Sequence, residues 1–73
     1  MMETSIRLVP GERLKVQYRN WRGEETIRLI KIEGSVYWGR NEWHVNPQWL
    51  VCGTDIEKGA MRVWAVRDME PVL

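Results

Sequence analysis

Leu14-Lys15-Val16-Gln17-Tyr18-Arg19 alternates apolar and polar side chains without a break. A period of two is what a half-buried strand requires, because successive side chains leave a pleated backbone on opposite faces. Asn20 to Glu24 follows as a polar, glycine-bearing connection, and Thr26 to Glu33 reads as a second strand with a β-branched and Leu-rich middle, so the two form a hairpin.

Downstream of that hairpin the same reading continues in shorter pieces. Gly34, Gly39 and Asn41 bracket Val36 to Trp38, which is either a further short strand or a bulged extension of the second. Asn46 and Pro47 predict a loop or a single 3₁₀ turn over His44 to Gln48. Trp49 to Thr54 reads as a strand. Asp55 to Gly59 has the acidic start and late glycine of a hairpin turn with a residue at positive φ, and Ala60 to Arg67 returns as the next strand. Pro71 stands near the natural end. Upstream, Ile6 to Val9 stops at Pro10 and Gly11 and reads as an edge strand or a short packed turn.

Composition agrees with a β protein. Val, Ile and Thr number 16 against two Ala, and branched side chains suit a pleated surface. With 73 residues, 44% of them hydrophobic, the chain reads as one domain over 1–73 with its core over about 14–69. Five Trp and two Tyr, with no Phe, supply the large buried rings so small a core needs. Short antiparallel strands at this spacing predict an all-β fold, a small open or closed barrel of about five strands, since closure hides strand edges.

The same arithmetic excludes several functions. One Cys and one His cannot make an intrachain disulfide or furnish a zinc site, so no metal and no cofactor is expected. No stretch approaches the roughly 20 apolar residues of a membrane span and no signal-peptide core opens the chain, so a cytoplasmic protein without membrane contact is expected. Net charge is +1, but residues 7–40 hold eight Lys or Arg against four Glu, and residues 41–73 hold three against five Asp or Glu. Lys15 and Arg19 share a strand face, with Trp21 and Arg22 at the adjoining turn. Such a basic strip with an aromatic inside it suits single-stranded nucleic acid, whose phosphates take the cations and whose bases stack on rings; the alternative is a solvated outer face.

Two arginines stand among apolar neighbours. Arg28 is in phase with Ile30 and Ile32, and Arg62 with Trp64 and Val66. A guanidinium so placed needs an acceptor or an aromatic plate. Asp55, Glu57, Asp68 or a Trp could provide it inside the fold, and a bound carboxylate or phosphate could provide it from outside. Cys52 and His44 form the one conceivable nucleophile and base pair, but Cys52 lies in the phase of Leu50 and free Cys is commonly a small buried hydrophobe, so no enzyme is expected.

The strand ending Val16-Gln17-Tyr18, the Gly23 turn, Arg28, Gln48-Trp49-Leu50, Gly59 and Arg62-Val63-Trp64 together resemble a WYL domain over roughly Leu14 to Met69. Glu42-Trp43-His44 through Leu50, then Asp55 and Lys58-Gly59-Ala60, are similar to short stand-alone bacterial proteins of that type. The resemblance implies an Sm-like, SH3-type barrel that serves as a ligand-sensing module in bacterial transcription regulators and CRISPR-associated accessory proteins, with single-stranded nucleic acid as a ligand of some members. It matches Arg28 and Arg62 to the family's two strand arginines, Tyr18 to its first-strand aromatic, and Trp49 to the middle of the name-giving triplet, which here reads Gln48-Trp49-Leu50. A helix-turn-helix has no room in the chain, so action in trans or as an oligomer is implied.

The expectation is therefore a non-catalytic regulatory module in which Arg28, Arg62 and Tyr18, with Trp49 or Trp64 stacking, hold an anionic ligand, single-stranded nucleic acid among the candidates. The alternative is an SH3-like protein-interaction adaptor that presents Trp21, Trp38 and Trp43 to a partner protein or a second copy.

Overall fold

A computed structural model describes residues 8–20 and 22–72. Six strands follow in order: β1 (Arg13–Arg19), β2 (Glu25–Ile32), β3 (Tyr37–Gly39), β4 (Gln48–Asp55), β5 (Ala60–Ala65) and β6 (Met69–Pro71), with a single 3₁₀ turn (Val66–Asp68) before the last. They make one curled antiparallel sheet, half of a small barrel, in the fold class the sequence predicts. Among the described residues no helix is long and apolar enough to cross a membrane.

β2 and β3 both lie against the same side of β4. Ile32 stands opposite Gly53 and Tyr37 opposite Leu50, so five steps on one side face three on the other. β3 is thus a continuation of β2 after a two-residue excess, and an excess of this kind bends a strand and lets a short sheet curl. Asp55 ends β4 and organises the next turn. Its carbonyl accepts from the Gly59 N–H at 2.7 Å and its carboxylate from the Lys58 N–H at 3.3 Å, with Gly59 at φ 65°.

Directly paired residues share a face. Tyr18 opposite Thr26, Val16 opposite Arg28, Ile30 opposite Asp55, Gly53 opposite Arg62 and Val51 opposite Trp64 therefore define one inner face across four strands. All of the contiguous core lies on it: Val16, Tyr18, Ile30, Ile32, Val51, Trp64 and Met69. Leu50 and Ala65, opposite each other, are also buried but on the outer face. Gly53 admits the inner packing. A Cβ there would come within 2.6 Å of the Ile30 Cγ2 and 3.1 Å of the Lys31 carbonyl oxygen.

The structure departs from the sequence reading near the C-terminal end of the described residues. The strand expected over Ala60 to Arg67 ends at Ala65, and Val66 to Asp68 turn the chain across the barrel opening. That turn delivers β6, which sequence reading does not predict; Pro71 is tolerated because β6 is an edge strand, with Tyr18 opposite Met69 and Val16 opposite Pro71. Of the stretch Ile6 to Val9, read as an edge strand or a short packed turn, Ile6 and Arg7 lie outside the described residues; Leu8 and Val9 form no strand and lead into a turn at Pro10 and Gly11, with Leu8 packed on the core.

Candidate functional site

Because β6 returns to β1 and not to β5, the sheet stays open between β5 and the β1–β2 hairpin. One end of this seam is closed by side chains. The Tyr18 hydroxyl accepts from the Ala65 backbone N–H at 3.0 Å, and the Tyr18 and Trp64 rings meet edge to face with centroids 4.9 Å apart. The Trp64 indole N–H donates to the Gly53 carbonyl at 2.9 Å. Burial raises the Tyr18 pKa above its ordinary 10.0; the Ala65 N–H acts in the opposite direction, and the Asp68 charge adds a smaller upward push.

Beyond Trp64 the seam widens into a groove of about 710 Å³. Tyr18, Asn20, Thr26 and Arg28 form one wall and Met61, Arg62, Val63 and Trp64 the other. The β3–β4 loop closes one side with Asn41, Glu42, Trp43 and His44. Asn41 shapes that loop: its side-chain oxygen accepts from the Trp43 and His44 backbone N–H groups at 2.9 and 2.7 Å, and its own N–H donates to the His44 carbonyl. Such an Asx turn is legible in an Asn followed by two or three polar or aromatic residues before a strand, but the pattern does not tell that the turn borders a groove.

The two strand arginines come together on this groove but in different states. Arg28 donates to the almost wholly buried Asp55 carboxylate at 3.2 Å, the first of its possible internal acceptors, and keeps its side chain 24% exposed. Arg62 is exposed, stands opposite Gly53, which offers no side chain, and has no ion pair among the described residues. Trp64 is core, with its N–H already bonded. Trp49 is not part of the groove; it packs edge to face on Trp38 at 5.3 Å, the two remaining 53% and 60% exposed.

The expected nucleic-acid strip occupies the opposite face. Arg19 is paired with Glu25 at 2.8 Å, a contact that raises the guanidinium pKa, and Gln17 donates to the same carboxylate at 2.5 Å. A shallow recess there is lined by Gln17, Arg19, Glu25, Arg67, Asp68 and Glu70, three carboxylates against two guanidiniums. Lys15 and Arg22 are exposed, and Trp21 lies outside the described residues.

Cys52 and His44 both line the groove, with no hydrogen bond between them. Among the described residues no three His, Cys, Asp or Glu side chains are grouped to hold a metal. No family model, curated protein or solved structure matches the chain.

Proposed function

We propose that this chain is a non-catalytic binding module whose β5 groove takes an anionic group, carboxylate or phosphate. The observation that supports the reading most directly is Arg62: a guanidinium in the inner phase of β5, beside a core, facing a glycine and without an acceptor among the described residues. Arg28, the more buried of the two, is paired with Asp55, whereas Arg62 is exposed and open to a partner from outside. Arg28 lines the same groove and has N–H groups beyond the one given to Asp55, so a bound anion would meet two guanidiniums whose forks match its oxygens. Single-stranded nucleic acid remains one such ligand through the groove, with Trp43 on its rim. The resemblance to WYL domains extends the proposal to sensing in transcription or defence regulation, with a partner supplying any DNA-binding part.

Trp64 and Trp43 both line the groove, so intrinsic fluorescence reports occupancy. Titration with citrate, phosphate and a single-stranded oligonucleotide at two salt concentrations is expected to give saturable, salt-sensitive quenching that Arg62→Ala abolishes while its circular dichroism stays unchanged. Equal quenching in wild type and Arg62→Ala would reject the reading.

The adaptor alternative has one observation of its own, the exposed Trp38–Trp49 pair away from the groove. A second copy seated there predicts a concentration-dependent mass in light scattering that Trp38→Ala reduces to the monomer.

A further inference from the structure

We infer that the anion in the groove is carried by an extended peptide segment of a partner protein, added to the open edge of β5 as a further strand, with an acidic side chain opposite Arg62 and apolar side chains opposite Met61 and Val63. The inference rests on the anion-binding reading and names its ligand.

β5 pairs with β4 along one edge only. On the other edge the Ala65 N–H points away from β4, since it donates to Tyr18. Backbone direction alternates along an antiparallel ladder, so Val63 and Met61 turn their N–H and C=O groups the same way as Ala65. Neither residue has a hydrogen-bond partner there among the described residues. Four backbone groups are therefore presented at the wall of a groove, in the pattern that strand addition uses.

The side chains beside that edge specify the guest. An added strand alternates its side chains between the two faces. On the inner face its residue meets Arg62, with Arg28 beyond, and an acid opposite a cation is the favourable cross-strand pair. On the outer face its neighbours are Met61, which is 64% exposed, and Val63. An alternation of acidic and apolar residues satisfies both faces. Among the described residues Glu42, in the β3–β4 loop, is the one carboxylate lining the groove.

Two other occupants fit less well. A nucleic acid could pair the Met61 and Val63 carbonyls only through base or hydroxyl donors, since its phosphate oxygens only accept. A second copy of β5, in the antiparallel register that uses both residues of both edges, sets Arg62 against Arg62, a like-charge pair.

The test uses the full chain and three probes: an acetylated, amidated peptide of alternating Val and Glu, the same peptide N-methylated on the backbone edge that would pair, and a single-stranded oligonucleotide. Binding of the first peptide should quench Trp fluorescence and slow hydrogen exchange at the Met61 and Val63 amides by about tenfold or more. N-methylation should remove binding, and Arg62→Glu should transfer preference to a Val and Lys peptide. If the N-methylated peptide binds equally well, or the oligonucleotide binds through Arg62 while the peptide does not, strand addition is overturned and the anion reading stands. If no probe binds in an Arg62-dependent manner, both fall.

Discussion

Trp64 and Arg62 stand two residues apart on β5 and face the same way, yet they belong to different regions of the seam. Around Trp64 every polar atom is used within the fold: its indole N–H on Gly53, the Ala65 N–H on Tyr18, and the Tyr18 ring edge to face with the indole. Around Arg62 little is used. Its guanidinium has no ion pair among the described residues, and the backbone of Met61 and Val63 faces open groove. Gly53 is common to both regions, accepting from Trp64 with its carbonyl and offering no side chain opposite Arg62. The closed region accounts for stability and the open one has no comparable structural purpose. Substitutions that act differently on the two regions test this division.

The largest effect is expected from Trp64→Ala. Removing a buried ring of this size costs about 3–5 kcal/mol, against a total of roughly 4–10 kcal/mol for a 73-residue domain. Urea denaturation followed by circular dichroism should show a chain that is partly unfolded without denaturant. A cooperative transition close to that of wild type would mean that the seam, not the open groove, is dispensable.

Asp55→Ala comes next. It leaves the Arg28 guanidinium without its acceptor and removes the carboxylate that receives the Lys58 N–H, so about 2 kcal/mol should be lost after discounting for the exposure of Arg28. The same variant frees Arg28 for a ligand. Anion binding that strengthens while stability falls would place Arg28 in both regions; binding that is unchanged would confine it to the closed one.

Much of this division is legible in the sequence. Strand phase in Thr26 to Glu33 and in Ala60 to Arg67 sets Arg28 and Arg62 among apolar neighbours, which singles the two out and puts Asp55 among the acceptors named for them. Pattern reading is informative wherever a side chain's burial follows from strand phase alone. It fails where long-range geometry decides. Met69-Glu70-Pro71 carries too few residues for a period, and it becomes a strand only because Val66 to Asp68 bring it to the free edge of β1. Trp49 sits in the inner phase of β4, as Val51 does, but β3 holds that end of the strand beyond the core, so the ring meets Trp38 and solvent. The open edge of β5 is invisible for the same reason, since which strand lacks a neighbour is a property of the whole sheet.

Tyr18→Phe probes the boundary between the regions and should cost about 1–2 kcal/mol, because the buried Ala65 N–H is left without an acceptor. It also has a pH signature. Burial holds the Tyr18 pKa above 10.0 in the folded chain, so below pH 10 both states keep the proton and its contribution is constant. Above pH 10 the unfolded chain releases a proton that the folded chain retains, and the wild type loses stability as pH rises towards the folded value. Denaturation at pH 8 and pH 11 should therefore show the gap between wild type and Tyr18→Phe narrowing. A gap that stays constant would mean the hydroxyl is as solvated in the native state as in the unfolded one, and that the seam is open at both ends.

The smallest effect on stability belongs to Arg62→Ala. An exposed side chain with no ion pair among the described residues and a glycine opposite removes little when truncated, so stability should change by less than about 0.5 kcal/mol. If the guanidinium is repelled by Arg28 across the groove, truncation will stabilise slightly, and raising the salt concentration should erase that gain by screening the pair. A loss of 2 kcal/mol or more, on the order expected for breaking a buried ion pair, would show that Arg62 has an acceptor inside the fold. It would then belong with Trp64 to the closed region, and the division of β5 into a structural half and a binding half would fail at the residue on which it depends.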